Sequence, residues 1–183
     1  MRDAQTGAEV RTITGLEEQL HYLVFSPDGS RLLGADKRGL MRIWDLATGR
    51  ETLASRLNNV FVFCIRFSPD GKRLAVVGNQ MQSLVGEARV LDAETGRELL
   101  ALKGHSVLVT DAAFTPDGQR LATCSTADHT VRLWDLASGQ EILTLRGHDL
   151  RVLSIRFVSA GRRLIGVSKD DTVRLWDATR LAE

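Results

Sequence analysis

The stretch Asp128-His129-Thr130-Val131-Arg132-Leu133-Trp134-Asp135-Leu136-Ala137-Ser138-Gly139 decides the fold. Within it Val131-Arg132-Leu133-Trp134 carries a hydrophobic period of two, that of a short half-buried strand. Asp135 to Gly139 reads as a tight turn, in which aspartate bonds back to the backbone and glycine takes the left-handed conformation. Working outward, the strand-ending aspartates Asp45, Asp92, Asp135 and Asp177 fall 47, 43 and 42 residues apart. A second set of landmarks, Gly29, Gly71, Gly118 and Gly161, falls 42, 47 and 43 apart. Two independent markers with one beat mean one supersecondary unit copied four times.

Other segments show the same period, as in Leu20-His21-Tyr22-Leu23-Val24-Phe25, and helix signals are nearly absent. Ser26-Pro27-Asp28-Gly29, Ser68-Pro69-Asp70-Gly71 and Thr115-Pro116-Asp117-Gly118 are turn sequences, while Val158-Ser159-Ala160-Gly161 keeps only the glycine. Each unit therefore reads as a four-stranded meander. The units span 15–57, 58–103, 104–146 and 147–183, preceded by residues 1–14, in which Val10 to Ile13 read as a lone fourth strand.

Gly104-His105 precedes Trp134-Asp135 by 28 intervening residues, and Gly147-His148 precedes Trp176-Asp177 by 27. With the Ser-Pro-Asp-Gly turns and the Asp-x-Thr-Val-Arg-Leu-Trp-Asp strands, this pattern resembles the WD40 repeat family along essentially the whole chain. The resemblance implies an all-β fold of WD40-type β-propeller blades, four four-stranded antiparallel sheets. It also implies a buried network in each blade that joins histidine, a hydroxyl, a turn aspartate and tryptophan. The third unit supplies His105, Thr123, Asp128 and Trp134, with Ser125 as the other hydroxyl candidate. The fourth supplies His148, Asp170 and Trp176, but Gly166 stands where the hydroxyl belongs. Unit one has Leu16 and Arg38 in the histidine and aspartate positions, and unit two has Asn58 for histidine and Leu91 for tryptophan. Those two blades are expected to rely on apolar packing.

Histidine, aspartate and a hydroxyl also compose an acyl-transfer triad when the hydroxyl faces a pocket. Within a blade the same groups satisfy one another, and a buried, satisfied hydroxyl is no nucleophile. No catalytic residue, cofactor or metal is expected. Cys64 and Cys124 lie 60 residues apart with no Cys-x-x-Cys, which suggests small buried hydrophobes. His21 and His129 have no partner at ligand spacing.

Lys plus Arg number 24 against 23 for Asp plus Glu, so no net field favours nucleic acid or an anionic membrane. Arg42, Arg89, Arg132 and Arg174 stand nine residues before Glu51, Glu98, Glu141 and Glu183, the spacing of cross-strand ion pairs. Without an apolar leader region or a run of about 18 apolar residues, the cytoplasm is the expected compartment.

Function then falls to loops. Unit two carries five extra residues within Gly78 to Glu87, so Gln80, Met81, Gln82, Leu84 and Val85 form a candidate partner-binding loop. The other reading is that this loop folds back over a blade lacking its tryptophan. The expected function is a non-enzymatic scaffold for a protein partner, through the loop faces of a propeller. A regulatory or sensor region of a larger enzyme such as a kinase, and a propeller-borne hydrolase or lyase, are the alternatives. Three closures are open: part of a longer propeller, a homodimer completing an eight-bladed ring, or a small closed four-bladed ring. Each closed form would pair Glu9 to Thr14 with Thr172 to Trp176.

Overall fold

The computed structural model describes residues 5, 6, 12, 19–83 and 85–177. The expected strand Val10 to Ile13, apart from Thr12, lies outside the described residues, as do Leu16, Leu84, the pairing of Glu9 with Arg174 and the segment 178–183. The described chain is all-β, without a helix.

Blade one holds β1 (Tyr22–Phe25), β2 (Arg31–Ala35), β3 (Leu40–Asp45) and β4 (Glu51–Arg56). Blade two holds β5 (Val60–Phe67), β6 (Arg73–Gln80), β7 (Gly86–Asp92) and β8 (Glu98–Leu102). Blade three holds β9 (Val109–Phe114), β10 (Arg120–Ser125), β11 (Val131–Asp135) and β12 (Glu141–Leu145). Among the described residues blade four is a three-stranded sheet of β13 (Val152–Val158), β14 (Arg163–Ser168) and β15 (Val173–Asp177). Every sheet is an antiparallel meander in chain order.

The turns are local chemistry repeated. Gly29 has φ +70°, its N–H donates to Ser26 O at 2.9 Å, and Ser26 Oγ donates to Asp28 at 2.5 Å. Gly71 and Gly118 repeat that geometry with φ +69° and +68°. Lacking proline and aspartate, the fourth copy bends differently: Ser159, Ala160 and Gly161 all take positive φ. A bulge recurs just before the tryptophan position, at Ile43/Trp44, Val90/Leu91 and Leu133/Trp134. It twists each outer strand away from its neighbour at the same depth.

The core lies between blades. Leu33, Met41 and Ile43 of blade one meet Val62, Ile65 and Leu74 of blade two, and Val77, Val90 and Leu102 meet Val109, Leu121 and Trp134 of blade three. Cys124, Val131 and Leu133 meet Val152, Ile155 and Leu164 of blade four. Leu91, in the tryptophan position, is 0% exposed within the first of these layers.

The arc is open. β1 packs beside β5, β5 beside β9 and β9 beside β13, and no such packing joins β13 to β1. The closed four-bladed ring therefore has to be set aside, because it would bury the two end faces on which Leu23, Phe25, Val173 and Leu175 stand exposed.

Candidate functional site

Blade three brings His105, Thr123, Asp128 and Trp134 together. The Trp134 indole N–H donates to Thr123 Oγ1 at 2.8 Å, His105 Nε2 stands 2.9 Å from that hydroxyl, and His105 Nδ1 is 2.8 Å from Asp128 Oδ2. With the ring proton on Nδ1, every polar atom has a partner: indole to hydroxyl, hydroxyl to Nε2, Nδ1 to carboxylate. Ser125 takes a different role and donates to Val107 O at 3.0 Å. Burial pushes the Asp128 carboxyl up, but the hydrogen bond from His105 and two bonds from Thr130 hold it well below the ordinary carboxylate range. A Cβ at Gly104 would lie 2.5 Å from Arg132 Nη1 and 3.1 Å from Trp134 Cη2. Glycine before the histidine thus lets the strand-three arginine cross the network and reach Glu141 at 2.6 Å.

Blade four assembles only part of that set. His148 Nδ1 is 2.9 Å from Asp170 Oδ2, while His148 Nε2 is buried without a partner among the described residues. Trp176 leans over Gly166: a Cβ there would stand 2.7 Å from Trp176 Cζ3 and 3.3 Å from His148 Nε2. Gly34 occupies the same position in blade one, with Trp44 Cζ3 at 2.9 Å from its would-be Cβ. Sequence reading missed Gly34, although its alignment with Gly166 in the repeat was a usable signal.

Thr123 is 0% exposed and its hydroxyl is fully engaged, so this constellation offers no nucleophile to a substrate. Among the described residues no group of three His, Cys, Asp or Glu side chains is placed to hold a metal ion, and no helix is long and apolar enough to cross a membrane.

A hub that sequence reading did not find lies on the inner strands. Asp111 of β9 is 4% exposed and accepts from Arg66 of β5 at 3.0 Å, and from Ser154 Oγ at 2.7 Å and Arg156 at 2.6 Å on β13. The Cys64 thiol donates to it at 3.2 Å. Burial raises the Asp111 carboxyl, and the Ser154, Cys64 and arginine contacts outweigh that and keep it below its ordinary range. Cys64 and Cys124 are both buried, and their thiols are pushed up to about 12, mainly by burial and, for Cys64, also by the Asp111 charge.

Arginines also staple neighbouring blades. Arg31 donates to Gly71 O at 2.5 Å with its guanidinium 5.4 Å from the Phe67 ring centroid. Arg73 repeats this in the next blade, donating to Gly118 O at 2.6 Å and lying 5.9 Å from the Phe114 centroid. The cross-strand ladder forms as Arg42–Glu51 at 3.0 Å, Arg89–Glu98 at 3.3 Å and Arg132–Glu141. Its fourth rung, Glu183, lies outside the described residues.

The blade-two insertion is not a loop from Gly78 to Glu87. Its extra length continues the hairpin, pairing Gly78 with Glu87 and Asn79 with Gly86, so that one strand runs on to Gln80 and the next begins at Gly86. Gln80 therefore ends a strand, and its side chain donates to Glu87 at 2.8 Å while accepting from Ser83 at 2.7 Å. Met81 N–H donates to Asn59 O at 3.2 Å, tying the loop to the start of β5. Met81 is 49% and Val85 42% exposed, and Gln82 is exposed. Beside them a cleft of about 440 Å³ runs along the outer strands, lined by Gln80, Val85, Glu87, Arg89, Glu98 and Lys103.

The family profile described as "WD domain, G-beta repeat" matches residues 96–135 and 139–177. A solved structure titled "Structure of U3-55K" superposes on 91% of the chain with a TM-score of 0.78 and 26% identity. Residues 96–135 and 139–177 are WD40 repeats, and the four sheets have the fold of WD40 propeller blades. Mouse Coronin-7 is 39% identical over 66 residues, which is 36% of the chain, and the WD repeat and SOCS box-containing protein 1 of Xenopus tropicalis is 35% identical over 78 residues, 42% of the chain. These matches take in only 7% and 18% of those two proteins, and 51% of the U3-55K chain. WD40 propellers are typically non-enzymatic scaffolds that bind protein partners.

Proposed function

We propose that this WD40 arc is a non-enzymatic scaffold that engages a protein partner through the blade-two hairpin tip and the adjoining cleft. The observation that carries the reading is Met81 and Val85 standing exposed on a hairpin whose strands are paired up to Asn79 and Gly86. Apolar side chains fixed in space by a rigid sheet lose little freedom on binding, so their contact area converts efficiently into affinity. The cleft supplies Glu87, Arg89, Glu98 and Lys103 as a mixed polar rim, the usual surround of an apolar anchor. Its balanced charge favours a protein over nucleic acid, for which a basic stripe with interleaved aromatics is needed. The proposed compartment is the cytoplasm, where two free buried thiols suit a reducing environment.

The four-residue network of blade three has, on this reading, a structural role. The test replaces residues 81–85 by a two-residue Asn-Gly turn and compares the proteins retained by parent and variant under identical affinity capture. Proteins held by the parent and released by the variant, with unchanged β-sheet circular dichroism, support the proposal. An identical set of retained proteins overturns it.

A further inference from the structure

Blades three and four show what fills the space against the strand-three arginine. The connection 103–108, between β8 and β9, lays Gly104 there: its would-be Cβ is 2.5 Å from Arg132 Nη1 and 3.3 Å from Glu141 Oε2. In blade four Gly147 stands likewise, with its would-be Cβ 3.3 Å from Arg174 Nη1. The occupant that this fold itself uses is therefore a stretch of backbone with glycine at the crossing point, because a side chain there has no room.

Blade two keeps the arginine and the glutamate and loses the cover. Leu57 and Asn58 stand in its Gly-His positions, but Leu57 turns into the core of the first junction, where it is 8% exposed and its N–H donates to Gly39 O at 2.9 Å. The residues that follow are drawn into the lengthened hairpin, Val60 pairing with Gln80 and Phe61 with Asn79. What remains is the cleft of about 440 Å³, with Arg89 and Glu98 in its wall and none of residues 57–59. Leu91 and Val76, buried, fill the places of Trp134 and Thr123, so no histidine slot accompanies the glycine slot. Arg89 is held in position from both sides, Nε at 2.7 Å and Nη2 at 2.5 Å from Glu87 Oε2, and Nη1 at 3.3 Å from Glu98. Lys103, also in the wall, is exposed, and its side chain has no partner among the described residues.

We infer that the blade-two cleft takes a glycine-bearing peptide segment of the protein partner, which crosses Arg89 and Glu98 as Gly104 crosses Arg132 and Glu141 in blade three. The glycine is selected by the same close approach that selects Gly104. The free ammonium of Lys103 selects an acidic residue beside it, since the three charges of Glu87, Arg89 and Glu98 are already engaged with one another. Exposed Val85 at the end of the cleft meets an apolar residue of the same segment. Because the walls are two paired strands, the slot is preformed, and the partner supplies the only chain that must be ordered. This inference rests on the cleft as the recognition surface proposed above.

Titration of the isotope-labelled chain with the peptide Leu-Arg-Gly-His-Asp-Leu, the sequence of Leu145 to Leu150, followed by amide NMR, tests it. Saturable shifts at Glu87, Arg89, Ala101 and Lys103 are expected. The same peptide with valine in place of glycine should cause none. Ala101→Phe fills the cleft from an exposed position opposite Arg89 and should abolish binding with unchanged circular dichroism. Lys103→Glu, an exposed change, should weaken it, and carries the test if Ala101→Phe fails to fold. Absence of saturable shifts in the parent, equal binding of the valine peptide, shifts confined to β11 and β12, or indifference to the substitutions overturns the inference. Absence of peptide binding together with partners released on replacing residues 81–85 removes this inference alone and leaves the blade-two hairpin as the recognition site.

Discussion

Asp111 and Arg156 lie in different blades, and the 2.6 Å contact between them is one arm of a clamp that also takes in Arg66 of a third. A single buried carboxylate therefore ties blades two, three and four together near the inner wall. Its arginines are 35% and 53% exposed at the side chain, so they keep part of their hydration while the carboxylate loses almost all of its own. Removing the carboxylate strands Cys64 and Ser154 as well as two guanidinium groups. Asp111→Ala should lower unfolding free energy by ~2–4 kcal/mol, read from urea denaturation. A loss below the error of the method would show that the clamp contributes nothing net.

The depressed carboxyls set the acid limit of the fold. Asp111 and Asp128 titrate below their ordinary range in the folded chain. The unfolded chain, with carboxyls near ~3.9, takes up protons first as the pH falls. Their stabilisation is therefore present above that value and is lost as the pH falls through the folded values. Exposed Asp28, lowered to about 2 by Ser26 and Ser30, acts in the same direction but is screened by solvent. The urea midpoint should hold steady from neutral pH to about pH 5 and fall below about pH 4. Asp111→Asn should flatten that fall; an equal fall in parent and variant would remove Asp111 from the explanation.

Restoring the missing hydroxyl of blade four should fail. Gly166→Thr would give His148 Nε2 a partner by analogy with Thr123, yet its Cβ must enter at 2.7 Å from one Trp176 ring carbon and 2.9 Å from another. The ring is wedged into the glycine's space, so the expected outcome is destabilisation by ~1–3 kcal/mol. A higher melting temperature for the variant would mean that Trp176 swings aside at little cost.

Asp128→Ala should cost ~1–3 kcal/mol, the scale of stranding a hydrogen-bonded group in a buried network. His105 then loses its Nδ1 partner while Thr123 and Trp134 stay paired. Thermal unfolding measures this, and an unchanged transition would remove Asp128 from the network's energetics.

Both thiols should resist a disulfide-exchange reagent at neutral pH in the native chain, since thiolate is the reactive form and each is pushed up to about 12. Release of both on adding denaturant is the expected colour change. Rapid reaction of the native protein would contradict the burial of Cys64 and Cys124.

What was legible in the sequence was what is written locally. The left-handed glycines of the Ser-Pro-Asp-Gly turns, the strand period and the rungs Arg42–Glu51 and Arg132–Glu141 all sit within a few residues or one hairpin. His105, Thr123, Asp128 and Trp134 were reachable because a repeat pattern indexes them. Asp111 was not, since its partners Arg66 and Arg156 are each 45 residues away and no motif marks them. The staples were missed for the same reason, although an arginine two residues after each turn glycine was visible. The length of the blade-two insertion was plain, but its conformation depended on ladder pairing between Gly78 and Glu87 that residue counting does not supply.

The clamp at Asp111 stops short of blade one, which is joined to blade two by apolar packing, by the Arg31 staple and by the Tyr22 hydroxyl donating to Val62 O at 2.8 Å. Cooperativity along the arc is therefore uneven, with blades two to four behaving as a single foldon and blade one as a more loosely coupled leaf. Amide protons in β9 and β10 should be the last to exchange with deuterated solvent and those in β1 and β2 among the first. Transient opening of the molecule would then proceed by peeling from one side rather than by fraying everywhere at once.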